Sequence, residues 1–524
     1  MKQQRRNSIT PKDFAQRPEV QKCLSALKAK FGANFEKLLV SDTLDGEGHQ
    51  YVNLVQKGGG VLGVALVGYT YILEQAGIRF LRMAGTSAGA INTAMMTVIG
   101  KKQDAKSEKV LQYLCDLDFF ALVDGHPFAR WFIRNFITHK SFEAKLSGWL
   151  TRIFASFGLL IFLDILFLGL GNHYVWASVA ARVTFVLTGF NLLLIGAMLF
   201  YVKYLVSRLR NCGYGINPGK FFYDWTKQRM AENDVRTVSE MNAKASADIP
   251  GLRVRKPETQ STEGLKGDVT FITAELVTQN KVEFPKMCNL FRVNPDDLHP
   301  ARFVRASMSI PVFFESHIIN DIPQDKVKDA WKLHFGSDDN IPDTARFVDG
   351  GMLSNFPVNI FYNPKVLEPR IPTFGVDLDD TNPEADNDDN VYTWTLGGYM
   401  GRMFNTIRYY YDKDFLIKNS VFKKGIGVIK LSEFNWLNFF LTDEDKIKMF
   451  IRGAESATEF LLGFNWPQYQ EDRIAMQQVL NRDSGREHQP PVPDSLKQKV
   501  DEAKLADVKI PDVEKEENKQ SPNQ

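Results

Sequence analysis

Apolar residues in this chain are arranged in two ways. In the middle they form two long stretches, at residues 153–171 and 183–206. Each is about as long as a helix that crosses a bilayer core. A short polar link between them carries Asn172, His173 and Arg182. Lys145 and Arg152 precede the pair, and Lys203, Arg208 and Arg210 close it. This pattern predicts a two-helix transmembrane hairpin over residues 151–210, with both outer ends and the flanking domain in the cytoplasm. A pair of buried core helices is the alternative reading. Asp164 is the misfit, because a carboxyl near mid-bilayer costs roughly 2.5–3.5 kcal/mol. Antiparallel pairing sets it opposite Thr188 and Asn191, where it is expected to be protonated or hydrogen-bonded. A hairpin returns the chain to the side it left, so the segments before and after it can join in one domain.

Elsewhere short apolar runs alternate with helical periodicity. The spacing from Val20 to Leu39 predicts a helical N-terminal extension. Residues 51–55 read as a strand, followed by a glycine-rich turn and a helix from Val64 to about Gln75. Residues 78–84 read as a second strand and 90–96 as a second helix. After the hairpin, a helix is predicted from Asn217-Pro218-Gly219 through Met230, with strands at 268–274, 346–348 and 372–377. Thr442-Asp443-Glu444-Asp445 reads as an acidic N-cap before an amphipathic helix ending near Gly463. Strand–helix alternation implies an α/β fold with a mainly parallel central sheet. The expected divisions are 1–49 (extension), 50–150 and 211–480 (two parts of the α/β domain), 151–210 (hairpin) and 481–524 (a Pro- and charge-rich disordered tail).

Composition mostly excludes. A net charge of +2 gives no reason to expect nucleic acid as a partner. The four cysteines are scattered, so neither a disulfide framework nor a zinc site is expected. The acidic residues between 377 and 390 lack the glycine and closing glutamate of a calcium loop, and read as a solvated loop. No metal or cofactor is expected. The aromatic run 434–441 suits a membrane interface, a pocket roof or core packing, and Tyr409-Tyr410-Tyr411 suits helix packing.

Candidate chemistry lies in three places. Gly85-Thr86-Ser87-Ala88-Gly89 joins a predicted strand to a predicted helix. That context makes Gly-x-Ser-x-Gly a nucleophile elbow, with Ser87 at a helix N-terminus. Residues 58–63 fit Gly-x-Gly-x-x-Gly, but no acidic residue follows at the end of the next strand as a dinucleotide site requires. Its backbone N–H groups suit an oxyanion beside Ser87 instead. Asp349-Gly350-Gly351 ends a third predicted strand, and Asp124-Gly125 competes with it as a turn. None of the eight histidines has a motif-like setting; His126 and His317 come nearest.

Together these motifs resemble the patatin-like phospholipase family. The resemblance covers roughly residues 51–96 and 215–376. Val304-Arg305-Ala306-Ser307-Met308-Ser309-Ile310-Pro311 and Asn355-Phe356-Pro357 also carry it. It implies a three-layer α/β/α sandwich, here interrupted by the hairpin, and hydrolysis of lipid acyl esters by a Ser–Asp dyad without histidine. Carried onto this chain, Ser87 is the nucleophile and Asp349 the proton acceptor. Gly58, Gly59, Gly60, Gly63 and Ala88 form the oxyanion hole, and Gly85, Gly89, Gly350 and Gly351 complete the motifs. The expected partner is a lipid at a membrane. An acyltransferase or thioesterase would use the same dyad. Leu62 stands where the family often has Arg or Lys, which keeps a decayed lipid-binding protein as a rival. The lipid headgroup and the oligomeric state stay open.

Overall fold

The computed structural model describes residues 9–483 apart from 128–129, 132, 135–141, 172, 212, 259 and 381–395. The tail from 484, Cys212 and most of the acidic stretch lie outside the described residues. Twelve strands are present among the described residues: β1 (Thr43–Leu44), β2 (Gln50–Gln56), β3 (Ile78–Thr86), β4 (Gly215–Asn217), β5 (Arg253–Val254), β6 (Asp268–Glu275), β7 (Asn280–Phe284), β8 (Val312–Phe314), β9 (His317–Ile319), β10 (Ala345–Asp349), β11 (Thr373–Asp379) and β12 (Ile426–Lys430). Ten form the main sheet in the order β12-β11-β2-β3-β6-β10-β9, with β1, β5 and β7 beside this path; β4 and β8 pair separately. From β12 to β6 the strands run parallel. The rest of the sheet pairs antiparallel, so it is mixed, with a parallel centre.

Alternation along β2 explains the layers. All seven of its residues are buried. Val52 and Leu54 point into the main core, with the helices Gly63–Gln75, Ala88–Val98 and Asp443–Gly463. Tyr51 and Val55 point the other way, and Val55 meets Phe356, Val358 and Phe415. A strand buried on both faces is the mark of a sheet between two helical layers. Thr442 caps the helix Asp443–Gly463 by accepting from the Asp445 N–H, as its sequence predicts.

Two boundaries differ from expectation. The N-terminal helix is Pro18–Phe31 and stops at Gly32, whose φ of 92° lies in the left-handed region. Beyond it the chain reaches the sheet edge as β1, so the extension is part of the fold: Val20 and Leu27 are fully buried. The last described helix, Trp466–Asp483, passes the expected division at 480.

The hairpin helices are Phe142–Leu170 and Val175–Asn211, longer than the apolar stretches suggested. Arg182 therefore lies inside the second helix instead of in the link. Spans Thr151–Leu170 and Val175–Arg210 are long and apolar enough to cross a membrane. Their surface is inverted relative to a soluble protein: Ile165, Phe185, Leu193 and Phe200 are each more than 60% exposed, whereas Asp164 is 7% exposed. The Thr188 hydroxyl donates to Asp164 Oδ2 at 2.6 Å. Asn191 pairs instead with Ser156 Oγ, at 3.0 Å.

A segment that precedes the hairpin in the chain is tied to the segment that follows it. Asp124 accepts from the N–H groups of Gly219 (2.9 Å) and Phe221 (3.0 Å), at the start of the helix Lys220–Ala231. The Asn217 side chain accepts from the Gly125 N–H and donates to Phe313 O. Asp124-Gly125 is thus a structural clasp.

Candidate active site

The register of β6 explains how two residues 262 positions apart meet. β3 pairs with the first part of β6, ending at Thr86↔Ile272. β10 pairs antiparallel with the second part, ending at Asp349↔Thr273. β7 occupies the other edge of β6. β3 and β10 therefore share one edge and run head to head along it. Ser87 follows the last residue of β3, and Asp349 is the last residue of β10. Consecutive positions on β6 thus bring the tips of both strands together.

At its tip β3 turns sharply into the helix Ala88–Val98. Ser87 takes φ 52° and ψ −118°, a conformation that side chains rarely adopt. Such strain costs about 1–3 kcal/mol and clusters at functional sites. The turn has no room for larger neighbours. A Cβ on Gly89 would lie 2.2 Å from Gln56 O, and one on Gly85 would lie 2.3 Å from the Gly89 carbonyl carbon. Ala88 opens the helix, so its N–H points outward without a helical acceptor.

The end of the helix Ala301–Ser307 and the residues just after it fix both tips. Ser307 Oγ accepts the Ser87 N–H at 3.0 Å and donates to Ile272 O at 2.6 Å. Ser309 O accepts the Asp349 N–H at 2.8 Å. Arg305 donates to Ser309 Oγ, to Pro218 O and to Glu315 O, which links this segment to the hairpin base.

Asp349 is 5% exposed. Its Oδ1 accepts the Gly351 N–H at 2.7 Å, whereas Oδ2 has no hydrogen bond of ordinary geometry. Burial pushes the carboxyl up to about 6. The Ser87 hydroxyl, the Gly351 N–H and the Arg408 guanidinium offset part of that rise. The Ser87 hydroxyl is thus near enough to favour the ionised carboxyl. Gly350 packs against Ile272 O, where a Cβ would come within 2.2 Å.

The glycine loop lies against this pair: a Cβ on Gly58 would be 3.0 Å from Ser87 Cβ. Two expected oxyanion donors are already engaged. The Gly58 N–H donates to Asn355 O at 3.0 Å, and the Gly63 N–H turns back onto Gly60 O. Both carbonyl acceptors belong to the loop's own scaffold, so these two glycines shape the site and do not supply free donors. The N–H groups of Gly59 and Gly60 have no backbone acceptor among the described residues. Gly60 has φ 56°, which aims the loop past Trp436 O. Leu62 is fully buried in the core, so a cation at that position would be desolvated here.

Sequence reading missed the supports of this loop. Asn355 Nδ2 donates to Gly58 O at 3.2 Å. Asp412, on the helix Leu396–Lys418, accepts from Ser354 Oγ at 2.7 Å and from the Phe356 N–H at 2.8 Å, and so grips both sides of Asn355. Burial raises the Asp412 carboxyl to about 6. One helical turn earlier, Arg408 Nε donates to Gly351 O at 2.7 Å. Asn355 stood within a motif of the resemblance. Asp412 and Arg408 had no local signal, because each acts on a loop more than fifty residues away. His317 lies on β9 against Phe347, and burial followed by nearby arginines pushes it down to about 4. It sits on the strand beside β10, opposite a residue two positions before Asp349, and its burial favours the uncharged ring.

Ser87 opens onto a narrow apolar slot of about 60 Å³. Met95, Leu114, Phe119, Trp225, Phe314 and Phe439 are among its lining residues. Phe439, from the aromatic run, stacks on Phe313 with centroids 4.9 Å apart. Phe439 thus lines the slot, whereas Phe434, Trp436, Leu437 and Leu441 pack against the main core. Tyr410, in contrast, is 65% exposed and is not helix packing.

Residues 54–362 match the family description Patatin-like phospholipase. The chain is 23% identical over 411 residues to the uncharacterized protein YqhO of Bacillus subtilis, covering 78% of this chain and 98% of that one. The crystal structure of VipD from Legionella pneumophila aligns over 81% of this chain and 70% of VipD, with 13% identity and a TM-score of 0.32. With the profile spanning more than half of its length, on the segments that build the site around Ser87, the chain belongs to the patatin-like phospholipase family, a family of lipid acyl hydrolases.

Proposed function

We propose that this protein is a membrane-anchored lipid acyl hydrolase working through a Ser87–Asp349 dyad. The observation that carries the reading is the head-to-head meeting of β3 and β10, which leaves Ser87 facing both an underprotected carboxylate oxygen and an apolar slot. Asp349 takes the proton as Ser87 Oγ attacks the ester carbonyl carbon. Charge on the tetrahedral oxygen is met by the N–H groups of Gly59, Gly60 and Ala88, at the positive end of the helix Ala88–Val98. The C–O bond to the alcohol breaks, and the proton held by Asp349 goes to the leaving alkoxide. Water then gives its proton to Asp349 and attacks the acyl-enzyme; the fatty acid leaves, and Ser87 regains its proton. The acyl chain occupies the slot, where each buried methylene contributes about 0.8 kcal/mol. An imidazole is not needed, because a carboxyl near 6 is a better base than a free aspartate near 3.9 and is still ionised at neutral pH.

Mass spectrometry of phospholipid vesicles incubated with the full chain tests the activity. Free fatty acid and lysophospholipid are expected in equal amounts. A purified, folded protein that releases neither from any ester would leave a lipid-binding role.

Anchoring rests on the inverted surface of the hairpin. Lipid accommodates exposed Ile, Phe and Leu side chains, and the Asp164–Thr188 bond keeps the one acidic group of the span between the helices. The basic residues at the outer ends favour a cytoplasmic catalytic domain. The full chain is expected to stay in the membrane pellet after alkaline carbonate washing. Recovery in the supernatant would remove the anchor from this reading.

A further inference from the structure

A second cavity, of about 230 Å³, shares no lining residue with the slot at Ser87. Asn53 of β2 and Arg82 of β3 contribute to its floor, and residues 361–371 and the helix Trp466–Asp483 contribute to its walls. Arg82 precedes Ser87 by five positions, roughly 16 Å of extended strand. The cavity thus lies toward the opposite end of the sheet from the dyad.

Three arginines, Arg82, Arg370 and Arg473, face this space. Arg473 is 4% exposed. Its guanidinium stacks on Tyr362 at 5.1 Å and Phe422 at 4.6 Å. Nη1 is buried without an acceptor, and no hydrogen bond or ion pair holds the group among the described residues. Ring faces offset part of the cost of burying a cation, but they leave a planar fork of directional donors unused. Arg82 donates to Lys266 O and Gly264 O, and Arg370 to Glu263 O. Carbonyls orient these two cations without neutralising them. Burial disfavours the Arg82 cation, and the charge of Arg370 adds to this while Asp268 offsets it in part. Asn53 Oδ1, on the cavity floor, is an acceptor buried without a partner, so it suits a hydroxyl of the ligand and not its anionic oxygens.

Buried cations are normally paired, and an arginine fork matches the oxygens of a phosphate. We propose that this cavity binds a phosphate-bearing anion, held by Arg473 with Arg82 and Arg370 as supporting charges. A soluble phosphate monoester and the headgroup of an anionic phospholipid present the same group to it.

The test uses the full chain carrying Ser87→Ala, which prevents lipid turnover, in nanodiscs of zwitterionic lipid. Thermal unfolding is followed while glycerol phosphate is added, against sodium chloride at equal ionic strength. A second arm replaces part of the lipid with phosphatidic acid. A saturable rise in unfolding temperature is expected in at least one arm. The apparent affinity should fall by about tenfold or more, 1.4 kcal/mol, in Arg473→Gln, and should also fall in Arg370→Gln. Because the readout is the dependence on ligand, a lower starting stability of Arg473→Gln does not mask it. If that variant does not fold, Arg370→Gln and Arg82→Gln carry the comparison. A response to glycerol phosphate identifies a soluble ligand, and one confined to phosphatidic acid identifies the headgroup; either supports the site. No saturable response in either arm, or one unchanged in the folded variants, overturns it.

Discussion

Ser87→Ala is expected to lower fatty-acid release from phospholipid by roughly 10⁴- to 10⁶-fold, the range seen when a serine nucleophile is removed. It is also expected to abolish labelling by a fluorophosphonate probe. The fold should survive with little change in stability. Alanine keeps the Cβ that makes φ 52° unfavourable, so the strain is the same in both proteins. The Ser87 N–H that Ser307 accepts belongs to the backbone and is unaffected. The variant is therefore a clean test of the hydroxyl. Retention of more than a few per cent of wild-type turnover, in protein with an unchanged unfolding transition, would place the nucleophile elsewhere. Ser87→Gly is the informative companion, because glycine adopts this backbone without penalty and should raise stability while remaining inactive.

Asp349→Asn is expected to separate activity from stability. The base must be ionised, so wild-type kcat/KM should rise with pH through about 6 and then level off. Asparagine accepts no proton, and activity should fall by several orders of magnitude at every pH. Stability should move the other way. Folding raises the Asp349 pKa from 3.8 to about 6, mainly by burial. Its favourable contribution is therefore fully present below about pH 4 and is lost as pH rises through 6. Above that, the folded protein carries a buried charge costing on the order of 3 kcal/mol, at 1.36 kcal/mol per unit. Asp349→Asn should thus be the more stable protein at pH 8 and nearly equal to wild type at pH 4. Denaturant unfolding at the two pH values measures this. A variant destabilised equally at both would mean that the carboxylate is held by partners and not penalised by burial.

The sequence was most legible where one local rule sufficed. The elbow needed small residues around Ser87, and Gly85, Ala88 and Gly89 announce it. The cap at Thr442 and the strand β6 were readable in the same way. The hairpin helices were visible as elements but not in extent, because Arg182 interrupts the apolar pattern without interrupting the helix. Donor assignments in the glycine loop failed at Gly58 and Gly63 for another reason. The Gly58 N–H is taken by the carbonyl of Asn355, nearly three hundred residues away, and the Gly63 N–H by Gly60 O once the loop closes into a helical turn. Asp412 and Arg408 belong to this second class, since their contacts exist only after the chain has closed. The meeting of Ser87 with Asp349 is intermediate: each motif is local, but only the shared edge of β6 makes them neighbours.

The clasp at the hairpin base has a kinetic meaning. Only residues 212–214 separate the second hairpin helix from β4, and Asp124 and Asn217 bind the incoming strand of chain to the outgoing one. Three residues reach at most about 11 Å. Leu122 and Phe222, which flank the clasp, also line the slot. On the membrane anchoring proposed above, so short a leash would confine the catalytic domain to one patch of one leaflet. Its search would then be two-dimensional: turnover would follow the surface mole fraction of substrate in the host membrane and lateral diffusion past the leash, and lipids of a neighbouring vesicle would stay out of reach.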